Sequence, residues 1–148
     1  MTTATAPHRN DPDVIARVLT TPGTWAVVGL SGNTSRTAYG VSRFLQDQSH
    51  RLVPVHPRAE TVHGQAGYAR LADIPDGTTV DVVDFFVNSS RVGRCVDEAV
   101  AQRERLGIST LWLQLGVVDE EAAQRAQQAG LEVVMDTCPM IEWPRLSR

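Results

Sequence analysis

The segment Gly29-Leu30-Ser31-Gly32-Asn33-Thr34-Ser35-Arg36 is the densest run of chemically useful residues in the chain. Free amides at the start of a following helix, with the hydroxyls of Ser31, Thr34 and Ser35, can cradle a phosphate. Arg36 adds a planar guanidinium suited to paired phosphate oxygens. Gly29 and Gly32 would equally serve a plain tight turn with Arg36 solvated; the place of the segment in the fold, derived below, favours phosphate. The dinucleotide fingerprint G-x-G-x-x-G is absent, because Gly29-x-x-Gly32 lacks its middle glycine. An NAD site also asks for an acid after the second strand, to hold the ribose diol. His56-Pro57-Arg58 stands there instead, and an arginine at that point favours an extra ribose phosphate.

Other residues carry chemistry singly. His56 is placed either to stack on a base or meet a phosphate, or to serve as a turn residue. His8, His50 and His63 fall in an expected leader or surface loops, where no role is expected. Asp84 interrupts an apolar run, where an acid needs partners to stay charged; ordering of the neighbouring loops through their amides is expected. Cys95 shares a helix face with Val92, Val96 and Ala99, which reads as core packing. Cys138 follows the last apolar run and is either an inert half-buried thiol or one open to oxidation or a mixed disulfide. No nucleophile elbow, acid/base pair or metal-ligand spacing is present, so no catalytic residue and no metal are expected.

The elements that position these residues follow from the pattern of the chain. Residues 1–10 read as a disordered leader. Asp11 and Pro12 then give a helix N-cap and first position, with Val14, Ile15, Val18 and Leu19 as the apolar face. Trp25 to Leu30 is a continuous apolar run of the kind buried on both faces of a parallel sheet. A helix over about 36–48 is followed by a strand at Leu52-Val53-Pro54-Val55 and a mostly irregular 56–79, with a helical turn near Tyr68 to Leu71. Val80 to Val87 is the third strand. A helix capped by Ser89 or Ser90 runs to Leu106, with Gly107 as its left-handed stop. Strands at 110–113 and 132–135 flank a helix capped by Asp119, and a short tail remains. Five strands alternating with helices predict an α/β fold, a doubly wound parallel five-stranded Rossmann-like sheet, with the expected order 3-2-1-4-5. Ligands of such sheets bind outside the carboxyl ends of the strands, where Leu30 to Arg36, Val55 to Arg58, Phe85 to Ser90, Gln114 to Val117 and Asp136 to Met140 converge.

Composition narrows the partners. The chain has 148 residues, 42% hydrophobic and 21% charged, with a formal net charge of -3. That is one domain, able to bury roughly 70% of its unfolded surface. All 14 basic residues are arginine, which reads as composition bias and removes lysine chemistry. With no basic run, neither nucleic acid nor an anionic membrane is a favoured partner. With neither a signal-type leader nor a long apolar stretch, a cytoplasmic protein is expected.

Taken in order, Val27-Val28-Gly29-Leu30-Ser31, Val53-Pro54-Val55-His56-Pro57, Val82-Val83-Asp84-Phe85-Phe86, Trp112-Leu113-Gln114-Leu115-Gly116 and Val133-Val134-Met135-Asp136-Thr137-Cys138 resemble the small bacterial and archaeal CoA-binding proteins. These are single-domain relatives of the CoA-binding domain of the succinyl-CoA synthetase alpha subunit, and the resemblance covers about residues 20–143. It implies a domain that binds coenzyme A or an acyl-CoA as a carrier, sensor or regulatory module, not an enzyme by itself, with an unidentified protein partner or a second copy as possible company. By that analogy Ser31 to Arg36 hold phosphates of the ADP part, and Val55, His56, Pro57 and Arg58 line its adenine and ribose end. Phe86 and Val87 flank the nucleotide or pantetheine arm. Gln114 to Gly116 with Cys138 close the crevice, which places the Cys138 thiol for the mixed-disulfide alternative with CoA. The alternatives are a small NADP-dependent oxidoreductase using His56 or Cys138, and a protein-interaction module with a vestigial nucleotide pocket.

Overall fold

The computed structural model describes residues 7–147. The chain runs α1 (Pro12–Thr20), β1 (Thr24–Val28), α2 (Thr37–Asp47), β2 (Arg51–Val55), β3 (Val82–Phe85), α3 (Ser89–Leu106), β4 (Thr110–Leu113), α4 (Glu120–Gln128), β5 (Glu132–Met135) and α5 (Pro139–Glu142). All four strand pairs are parallel and form one five-stranded sheet. The expected α/β class is therefore present, and the expected helix starts at Asp11 and Asp119 both cap with their side chains, on Asp13 N and Ala122 N. The first and third strands are shorter than the apolar runs that announced them. Among the described residues no helix is long and apolar enough to cross a membrane.

The strand order is β2-β1-β3-β4-β5, so β3 lies beside β1 and not outside β2 as the order 3-2-1-4-5 required. Pro54 supplies the physical reason. Proline has no N–H to give to a ladder and is confined to edge strands. Its carbonyl points outward and accepts only from Tyr68 N at 3.0 Å, in an isolated bridge that fringes the edge.

Successive side chains of the strands alternate between two cores. Ala26, Val83, Phe85, Leu111, Leu113 and Val133 pack beneath α3, α4 and the irregular segment carrying Leu71 and Ile74. Trp25, Val27, Val82, Trp112 and Val134 pack beneath α1, α2 and the C-terminal segment. Each core is closed by helices on its outer side, which is why these strands read as unbroken apolar runs.

Three expectations need correction. Residues 1–6 of the expected leader lie outside the described residues, but 8–10 are held: His8 N donates to Glu120 Oε2 at 2.7 Å, and Asn10 trades two hydrogen bonds with the Met135 backbone on the edge strand β5. His50 is not in an exposed loop. It is buried, with Nε2 3.0 Å from Leu19 O and Nδ1 accepting from Gly23 N at 3.3 Å. The cap of α3 is Asn88, with no side-chain bond; Ser89 instead donates to Gly116 O and accepts from Val118 N. The tail is structured as α5 and a 3₁₀ turn, Trp143–Ser147, too short to carry a readable period.

Candidate functional site

One cleft of about 1290 Å³ opens at the carboxyl ends of the strands. Its position depends on Gly29. This residue has φ +98°, and a β-carbon there would stand 2.4 Å from Phe86 O, so only glycine lets β1 leave the sheet this close to β3. Gly29, Ser31, Asn33, Ser35 and Arg36 line the cleft behind β1; Val55, His56, Pro57 and Arg58 line it behind β2; Phe86 and Val87 line it behind β3. Gln114 and Cys138 close it behind β4 and β5. Three further residues expected in the site, Gly32, Thr34 and Gly116, are not among the lining residues. Gly116 has φ +81° and donates to Asp136 Oδ1 at 2.8 Å, tying together the loops that follow β4 and β5.

The first loop is held by its own side chains. Asn33 Oδ1 accepts from Ser35 N and from Ser35 Oγ, Ser31 Oγ accepts from Asn33 N, and Glu60 Oε2 accepts from Gly32 N at 2.8 Å. The amides expected to be free are thus partly engaged. Arg36, at the N-cap of α2, makes no ion pair among the described residues.

Four charged residues that the sequence reading passed over line the cleft: Arg70, Arg91, Arg94 and Glu98. On α3, Arg91, Arg94, Cys95 and Glu98 are spaced i, i+3, i+4 and i+7, one stripe along the helix. The adjacent stripe, Val92, Val96 and Ala99, is buried in the core. Cys95 therefore packs against the core as expected and also reaches the cleft, half-buried. Burial, and then the Glu98 carboxylate, push its thiol above the usual range. The signal in the sequence was the pair of arginines in the opening turns of the helix that follows β3.

The cleft thus presents five guanidinium groups, from Arg36, Arg58, Arg70, Arg91 and Arg94, against the single carboxylate of Glu98. Arg58 sits 3.8 Å from Glu60, and Arg70 pairs with Asp73, both toward solvent. Toward β4 and β5 the lining changes character. Gln114 is 4% exposed, its Oε1 has no hydrogen-bond partner, and Leu115, Val117, Cys138 and Ile141 surround that end. Cys138 is buried at the N-cap of α5.

Asp84 lies on the other side of the sheet from α3, between Val27 and Trp112 in register. Both carboxyl oxygens are buried and neither has a partner at full hydrogen-bond geometry; burial holds the acid well above the usual carboxylate range, and the adjacent Phe85 amide offsets this only in part. It therefore orders no neighbouring loop, contrary to expectation. Among the described residues no group of three or more His, Cys, Asp or Glu could hold a metal ion.

Residues 23–144 match the CoA binding domain family. The chain is 34% identical over 113 residues to YneT, an uncharacterized protein of Bacillus subtilis, a match covering 76% of this chain and 79% of that protein. Among solved structures, a hypothetical protein of Pyrococcus horikoshii superposes with a TM-score of 0.82 at 31% identity, over 97% of this chain and 99% of that one. A Thermus thermophilus protein gives 0.80 at 32% identity, over 92% and 98% of the two chains. With the match spanning all five strands and the cleft they frame, the chain belongs to the CoA binding domain family.

Proposed function

We propose that the protein binds coenzyme A or an acyl-CoA in this cleft, and acts through that binding as a carrier, sensor or regulatory module. The observation that carries the reading is the charge of the cleft: five arginines face one carboxylate, in a chain whose formal net charge is -3. Eight of the thirteen described arginines are ion-paired, and of the five that are not, Arg36, Arg91 and Arg94 all face the cleft. Unpaired guanidinium groups gathered in a concave site favour a ligand with several phosphates. Coenzyme A carries a diphosphate and a separate ribose phosphate. Its ADP part fits over Ser31 to Arg36 and Val55 to Arg58, and its pantetheine arm leads past Phe86 and Val87 toward Gln114 and Cys138.

Isothermal titration of the reduced, ligand-stripped protein with CoA, NADP and ADP tests this. The expected result is saturable one-to-one CoA binding that is tighter than NADP binding. Arg36→Ala and Arg91→Ala should each weaken CoA by about tenfold or more, the scale of a hydrogen bond to a charged group, with the circular dichroism spectrum unchanged. Binding of NADP alone would move the protein to the oxidoreductase reading, and binding of none of the three would leave the cleft without a nucleotide ligand.

A further inference from the structure

We infer that the ligand is an acyl thioester, with an aliphatic acyl chain lying along Leu115 and Ile141. This rests on the CoA-binding reading and specifies it. Among the described residues the large exposed hydrophobic side chains are Leu115, Val118, Met140 and Ile141, at 58%, 40%, 48% and 38% exposure. They are not scattered. Two belong to the loop after β4 and two to α5, directly after β5, and these strands are neighbours.

The two segments are fastened to each other and to the cleft. Gly116 N reaches Asp136 Oδ1 at 2.8 Å, and Ser89, at the start of α3, bonds both Gly116 O and Val118 N. Leu115 and Ile141 line the same cleft as the arginines, so the apolar surface continues the cationic one. The order of the sheet separates them: the cations follow β2, β1 and β3, and the apolar side chains follow β4 and β5.

Gln114 stands where the two meet. Its side chain is almost wholly buried, yet Oε1 has no partner, and a buried acceptor left unmet is the exception in folded proteins. The amide N–H groups of a pantetheine arm are donors of the kind it lacks. An arm bonded at Gln114 would bring the sulfur end of the ligand beside Cys138, and whatever the sulfur carries would meet Leu115 and Ile141. Free CoA would leave that surface wet, whereas an acyl chain would cover it.

The test compares CoA, acetyl-CoA and octanoyl-CoA by isothermal titration, on the full chain and on the double variant Leu115→Ser/Ile141→Ser. Sedimentation velocity on the free protein accompanies it. Each methylene removed from water strengthens binding by about fourfold at full burial; for a chain lying in an open groove we expect octanoyl-CoA to bind about tenfold or more tighter than CoA. In the double variant the ratio of the two affinities should fall toward one. Equal affinity for CoA and octanoyl-CoA overturns the inference, as does a gain with chain length that the variant keeps. A self-associating protein with no chain-length gain overturns it in favour of a second copy on this face. Loss of CoA binding altogether, in the unaltered protein, would instead overturn the CoA-binding reading.

Discussion

The amide of Gly32 donates to the Glu60 carboxylate at 2.8 Å, and the other carboxylate oxygen lies 3.8 Å from the Arg58 guanidinium. A side-chain anion therefore stands at the loop proposed to take ligand phosphate. The backbone of Glu60 runs close against Gly67, where a β-carbon would fall 2.1 Å from Glu60 O. Incoming phosphate must compete with this carboxylate for the amide and for Arg58. Glu60→Gln keeps an acceptor for Gly32 N and removes the charge. We expect it to tighten CoA binding by about 0.5–1 kcal/mol, two- to fivefold, the range for a partly solvated charge pair. Titration calorimetry at low and moderate salt checks this. An unchanged affinity would mean that the ligand does not approach Glu60.

Gly29 and Gly40 predict opposite responses to the same substitution. Gly29→Ala places a β-carbon 2.4 Å from Phe86 O in a backbone at φ +98°, and neither fault can be relieved by a side-chain movement. A loss of about 2–4 kcal/mol in stability is expected from a clash and strain of this kind. Gly40 lies inside α2, exposed, with nothing within 4 Å of an added β-carbon. Gly40→Ala should stabilise by about 0.5–1 kcal/mol through helix propensity alone. Urea denaturation of the two variants is the measurement, and a neutral Gly29→Ala would show that β1 can leave the sheet by another route.

The sheet, its helices and the cleft were legible because burial on both faces forces continuous apolar strands, and because capping residues such as Asp11, Asp119 and Gly107 act locally. The place of β3 was harder. Period and length are blind to strand order, and the one local sign, Pro54, bears on which strand is an edge and not on where an element begins. Arg91 and Arg94 escaped for another reason. A charged stripe on a helix ordinarily faces water, and only the tertiary path of α3 along the cleft turns it inward. Cys95 borders both environments, so its pattern with Val92, Val96 and Ala99 described half of its surroundings. His50 resembled a loop residue because its partners, Leu19 O and Gly23 N, lie about thirty residues away in the chain.

Asp84 and His50 give the stability a pH dependence of two opposite signs. Burial favours the uncharged form of each, raising the acid and lowering the imidazole. For Asp84 the folded chain keeps its proton after the unfolded chain has released it, near pH 4. Above that point the unfolded state binds fewer protons, so stability falls as pH rises, with a slope of up to about 1.4 kcal/mol per pH unit until the folded acid also ionises. For His50 the unfolded chain takes up a proton below about pH 6.5 while the folded one resists it. Nδ1 is already accepting from Gly23 N, and a proton there would set two donors against each other. Stability therefore falls as pH drops below about 6.5 on this account. Between about pH 4 and 6.5 the two effects oppose each other. Asp84→Asn retains the uncharged shape and removes only the first effect. Urea denaturation at pH 5, 6.5 and 8 should find the variant gaining on the unaltered protein as pH rises, until the folded acid ionises. A gap between the two that does not change with pH would mean that Asp84 ionises in the fold, beside a partner that its surroundings of Val27 and Trp112 do not provide.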